Sequence, residues 1–140
     1  MTFQEELVQV LKEELEILYA LKKLTYEKTD IIINNEVEKL EELTKREKEL
    51  VESMIRVEKQ RLNLMDSWGV GVNTSITQVI ENIPEGKEEL IELKDELANI
   101  LKDIQERNQI NQELINDNLQ WLDFNMNLIS NIQTPATYGK

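Results

Sequence analysis

The chain has 140 residues, with 16 Lys and Arg against 28 Asp and Glu, a formal charge of −12, and neither Cys nor His. The two absences exclude a disulfide framework, a thiol nucleophile, a Cys/His zinc site and an imidazole acid–base relay. The acidic balance argues against a nucleic-acid groove, which needs clustered Lys and Arg. Four glycines and two prolines are about a third of the usual share of roughly 12%, and a breaker-poor, Leu/Glu/Lys-rich chain is what long amphipathic helices look like.

The N-terminus, Met1 to Glu6, has no basic segment ahead of an apolar run, so no signal peptide is expected. The longest apolar run, Ile17 to Leu21, falls far short of the ~18 residues that span a bilayer. The cytoplasm is therefore the expected compartment, without membrane insertion.

Residues 3–33 read as a first helix, because Leu7, Leu11, Leu15, Leu18, Leu21 and Leu24 recur at steps of three and four. Asn34-Asn35 is the first punctuation, and Asn35 with Glu38 has the spacing of a capping box. A second helix over about 36–66 carries a heptad row, Leu43, Leu50, Val57 and Leu64. Its companion row holds Leu40 and Met54 but is interrupted by Glu47 and Arg61. A two-residue break favours antiparallel neighbours over one straight rod. Next comes a glycine-containing connector around Trp68, Gly69 and Gly71. Within it Ile76, Val79, Ile80 and Ile83 predict a short helix over about 75–82, with Asn73 or Thr74 placed to cap it. Trp68 is expected to finish the bundle core, with anchoring of the connector as the alternative. From Lys87 to about Asn131 there is neither Gly nor Pro, which predicts a helix of roughly 65 Å. The expected architecture is all-α: an elongated antiparallel bundle or coiled coil of three long helices with a short connector helix, one domain over 1–132. A mobile tail is expected over 133–140.

The last helix changes character halfway. At about 100° per residue, Leu90, Leu93, Leu97, Ile100, Leu101 and Ile104 fill an arc of roughly 100°, an ordinary core stripe, with Ile91 and Ala98 outside it. Between Ile110 and Ile132 the apolar residues spread over roughly 220°. Residues 108–139 contain no Lys or Arg, three acids, seven Asn and four Gln. Amides tolerate burial when hydrogen-bonded, whereas unpaired charges do not, so this segment reads as a surface built to be covered. Two bundle neighbours or a homodimer seam would also cover it. Asn108 and Asn111 stand where the heptad would place apolar residues; buried, they would fix register, and a local change of helix face is the alternative.

Carboxylates such as Glu88, Glu89 and Glu92 decorate helix faces opposite lysines, as in the Glu41 to Lys45 pair, which is the pattern of a solvated surface. A helical di-metal site needs Glu-x-x-His pairs, and Gly69-Val70-Gly71 lacks the lysine and spacing of a phosphate loop. Neither an enzyme nor a cofactor is expected.

The order of elements, the Asn34 to Leu43 break, and the Ser75 to Ile80 connector accompany a final helix bearing Asn108-x-x-Asn111-x-x-Leu114-Ile115 and Leu119-x-x-Leu122-Asp123-Phe124-x-x-x-Leu128-Ile129. Together they resemble the FlgN family of flagellar type III export chaperones over nearly the whole chain. The resemblance implies a cytosolic chaperone of hook–filament junction proteins. It would shield their C-terminal helices from premature assembly and deliver them to export-gate or ATPase-complex proteins. It implies a client surface on the last helix, carried onto Leu114, Ile115, Leu119, Leu122, Phe124 and Leu128; Trp121, Met126 and Ile129 join through the helical wheel. The tail Thr137-Tyr138-Gly139 resembles the family's tyrosine-containing tail, which implies an export-gate contact at Tyr138. The alternatives are a coiled-coil adaptor that homodimerises through the same face and a chaperone of another flagellar subunit.

Overall fold

The leucine ladder of the first third folds as α1 (Phe3–Ile33), followed by α2 (Val37–Ser67), α3 (Ile76–Glu81) and α4 (Glu88–Ser130) in a computed structural model. The structure describes residues 2–71 and 74–130, with side chains as far as residue 116. Among them there is no strand; the protein is an all-α bundle, as the periodicity predicts.

Both turns that fold the hairpin back are chain-reversing helix ends with a left-handed residue. At the end of α1, Asn35 takes φ 55°; its N–H donates to the Ile32 carbonyl and that of Glu36 to the Ile31 carbonyl, each at 3.1 Å. This is the paired-bond Schellman closure, for which Asn is tolerated where Gly is usual. The role displaces the expected capping box: Asn35 closes α1, Glu36 takes the N-cap position of α2, and the Glu36 side chain makes no capping bond. At the end of α2, Gly69 (φ 75°) repeats the motif, with Gly69 N–H on the Asp66 carbonyl at 3.0 Å and Val70 N–H on the Met65 carbonyl at 2.8 Å. Ser75, rather than Asn73 or Thr74, caps α3 in a reciprocal box with Gln78. Ser75 has the extended backbone (ψ 156°) that an N-cap requires.

α1 and α2 run antiparallel, and the two charges that interrupt the heptad row are what align them. Arg61 Nε lies 3.1 Å from Glu14 Oε1, and Lys28 Nζ lies 3.0 Å from Glu47 Oε1. Each helix carries its acid and its base fourteen residues apart, in opposite order along the paired direction. In the antiparallel register both pairs match; side by side in parallel, Glu14 would face Glu47 and Lys28 would face Arg61. Arg61 also reaches Glu58 at 3.3 Å.

α4 returns parallel to α1, a direction fixed by Lys12–Glu89, Tyr19–Glu96 and Lys22–Asp103 contacts at 3.1–3.2 Å. The Gln4 amide donates to the carbonyls of Glu85 and Gly86 and ties the start of α4 to the first turn of α1. Leu7, Leu11, Leu15 and Leu18 of α1 pack with Leu90, Leu93, Leu97, Ile100 and Ile104 of α4, closed below by Met65, Val79 and Ile80. α1 is the spine: among the described residues α2 and α4 each lie along it without a close backbone approach to one another.

Two expectations about the core fail for that reason. Leu101 is 43% exposed, although Leu90, only about 20° away on the wheel, is fully buried. At the level of Leu90 the base of the bundle is closed by α3 and Met65; at the level of Leu101 no described helix closes that side. Trp68 does not finish the core either. It is 52% exposed and lies against Phe3, with ring centroids 5.6 Å apart and planes inclined at 57°.

Candidate functional site

The apolar packing between α1 and α4 ends at Ile104, and a polar layer takes over. Asn111 is 2% exposed. Its Nδ2 donates to the Thr25 carbonyl at 2.9 Å, and its Oδ1 accepts from the Thr29 hydroxyl at 2.5 Å. The Thr25 hydroxyl in turn donates to the Leu21 carbonyl at 2.7 Å. Each polar atom left unpaired here would cost about 1–3 kcal/mol, so the layer penalises a slipped register and holds the two helices at one level. Of the two asparagines at heptad core positions, Asn111 is therefore the buried one; Asn108 is exposed. Beside the layer the Arg107 guanidinium lies 4.2 Å from the centre of the Tyr26 ring. Lys22 is held above its ordinary range by its hydrogen bond to Asp103. Arg107 is the last cation before Lys140.

Counting from the Thr29–Asn111 contact, α1 has four residues left and α4 nineteen. α4 thus continues for fifteen residues after the level at which α1 ends, about 22 Å of helix at 1.5 Å per residue. Those residues belong to the stretch in which amides replace charges.

Leu114 and Ile115, at the last level α1 can reach, are partly exposed, and Ile110 is 42% exposed. Leu119, Trp121, Leu122, Phe124, Met126, Leu128 and Ile129 continue the α4 backbone, and their side chains lie outside the described residues. Tyr138 and the tail expected to be mobile lie outside them entirely.

Three features escaped the sequence reading. The Thr25–Thr29 partners of Asn111 carry a signal only as two hydroxyls four apart inside a leucine ladder. The ion pairs carry one as the repeated fourteen-residue spacing of opposite charges. The exposed Trp68 ledge carries none.

Among the described residues no group of three or more carboxylates could hold a metal ion, and no described helix is long and apolar enough to cross a membrane. Burial raises the Glu14 carboxyl above its ordinary value, with Arg61 opposing and Glu58 reinforcing the shift. That carboxyl is paired with Arg61 inside the α1–α2 seam, which makes it a structural group.

No curated protein and no solved structure matches the chain. The family model described as FlgN protein matches it over residues 1–140, its full length. That family comprises chaperones, not enzymes. The chain belongs to the FlgN family of flagellar export chaperones.

Proposed function

We propose that the protein is a cytoplasmic chaperone of hook–filament junction proteins and that it holds a client helix along the distal part of α4. The observation that carries this reading is the fifteen-residue continuation of α4 past the end of α1, in a segment rich in apolar residues and amides and without Lys or Arg. A helix that outruns its neighbour and is apolar over a wide arc needs cover from outside its own bundle. An amphipathic client helix would supply it in the helix-in-groove mode, with anchors at i, i+3, i+4 and i+7. Leu114, Ile115, Leu119, Trp121, Leu122, Phe124, Met126, Leu128 and Ile129 form the proposed client face. Burying one large anchor such as Trp121 or Phe124 contributes about 2–3 kcal/mol; several together reach micromolar affinity, about −8 kcal/mol. Tyr138 is the proposed contact to the export gate.

The test is calorimetry with a C-terminal fragment of a junction protein. Trp121→Ala combined with Phe124→Ala is expected to abolish binding while the far-ultraviolet circular dichroism stays helical. Unchanged affinity in that variant refutes the assignment of this face.

A further inference from the structure

The opposite end of the bundle carries a second surface that the client reading does not use. Phe3, Trp68, Val70, Ile83 and Pro84 line a groove of about 600 Å³ between the start of α1, the end of α2 and the α3 segment. That is the size of a pocket that takes side chains of a ligand. Trp68, one of its walls, is 52% exposed. Its indole nitrogen donates to Glu6 Oε2 at a long 3.4 Å.

The charges beside the groove are mostly acidic. Glu6 accepts from the indole; Asp66, Glu81 and Glu85 are sequence neighbours of the lining residues Trp68, Asn82 and Pro84, and Lys87 is the one base among these neighbours. A contiguous recess past Gln4 adds Glu5. Its lining is uncharged among the described residues, and Lys12 in the neighbouring recess is paired with Glu89 at 3.2 Å. An apolar floor selects an apolar anchor, and an acidic rim selects cations beside it while repelling acidic segments.

We propose that this base is a docking site for a partner-protein segment that presents an apolar anchor flanked by lysine or arginine. About 39 Å of α4 separates its start at this base from Leu114, where the proposed client face begins, so both ends can be occupied at once. It does not depend on the client reading.

The test uses the full chain with Trp121→Phe, which leaves Trp68 as its single indole. The probes are a synthetic leucine–lysine amphipathic helix, the same peptide with glutamate for lysine, and the same peptide with glutamine for leucine. At physiological ionic strength the first is expected to saturate and to move Trp68 emission to shorter wavelength. The other two bind at least about tenfold more weakly. Glu6→Gln with Glu81→Gln weakens the first peptide severalfold, whereas Glu41→Gln with Glu42→Gln, on the surface of α2, does not. Trp68→Ala removes binding; should that variant lose helicity, the glutamate pairs and the emission shift decide. Equal binding of the basic and acidic peptides, or equal effects of the two glutamate pairs, overturns the proposal. So does dimerisation of the chain alone that Trp68→Ala abolishes, since the occupant is then a second copy.

Discussion

Replacing Arg61 by leucine isolates a buried carboxylate and tests why a charge stands in the core row of α2. The Glu14 side chain is 7% exposed and that of Arg61 18%, so the pair is largely desolvated. The Arg61 Nε and Glu14 Oε1 atoms are 3.1 Å apart without the alignment of a hydrogen bond, so the contact is chiefly Coulombic. Removing one partner of such a pair costs about 3–5 kcal/mol; the residual exposure of Arg61 puts Arg61→Leu near 3 kcal/mol, a fall in Tm of about 10 °C. Glu14→Leu with Arg61→Leu fills both positions with the heptad's own residue type and is expected within about 1 kcal/mol of the parent, or above it. The pH dependence has a definite sign. Burial holds Glu14 above the ordinary 4.5, so the folded chain keeps a proton that the unfolded chain has released. The Glu14 contribution is most favourable below that value and is lost as pH rises through the raised one. Without Arg61 the carboxyl rises further, so the Arg61→Leu deficit shrinks between neutral pH and about pH 5. Urea unfolding followed by circular dichroism at the two pH values checks this. A double variant as weak as the single one, or a deficit that does not shrink in acid, refutes the account.

Other expectations follow from single features. Asn111→Ala leaves the Thr29 hydroxyl only its long 3.5 Å bond to the Thr25 carbonyl and removes the Asn111 donor from that carbonyl, and should cost about 1–3 kcal/mol in urea unfolding; Asn111→Leu with Thr29→Val should recover most of it. Gly69→Ala meets no atom within 4 Å but must adopt φ 75°, so its cost of about 1–2 kcal/mol in thermal unfolding is conformational alone. α2 buries only Leu43, Val57 and Met65, so hydrogen exchange should be faster along α2 than along α1. Deleting residues 134–140 should spare binding of the junction-protein fragment and weaken the export-gate interaction in a pull-down; equal loss of both contradicts a separate tail role.

Much of the architecture is legible in the chain because leucine periodicity reports directly on which face is covered. Leu7 to Leu18 and Leu90 to Ile104 sit where their spacing puts them. Periodicity does not report how many neighbours a stripe meets at each level, and Leu101 departs from expectation on that account. It also treats Glu47 and Arg61 as gaps, since a one-helix pattern cannot show that Lys28 and Glu14 stand opposite. Asn35 carries two compatible local signals, a cap for the next helix and a left-handed stop for the previous one, and only the backbone decides between them. At the candidate site, the loss of charge after Arg107 is visible in composition, while the level at which α1 gives out needed the Thr29–Asn111 contact.

The single spine has a consequence for biosynthesis. The hairpin partners of α1 emerge from the ribosome within the next thirty-odd residues, whereas its leucine partners on α4 follow some eighty positions later. Vectorial synthesis therefore lets the ion-paired hairpin close first, with Leu7, Leu11 and Leu18 lacking their α4 partners until that helix arrives. The nascent chain is most vulnerable to misassociation in that interval, and the charge order on α1 and α2 guards the pairing direction before the full core exists to enforce it.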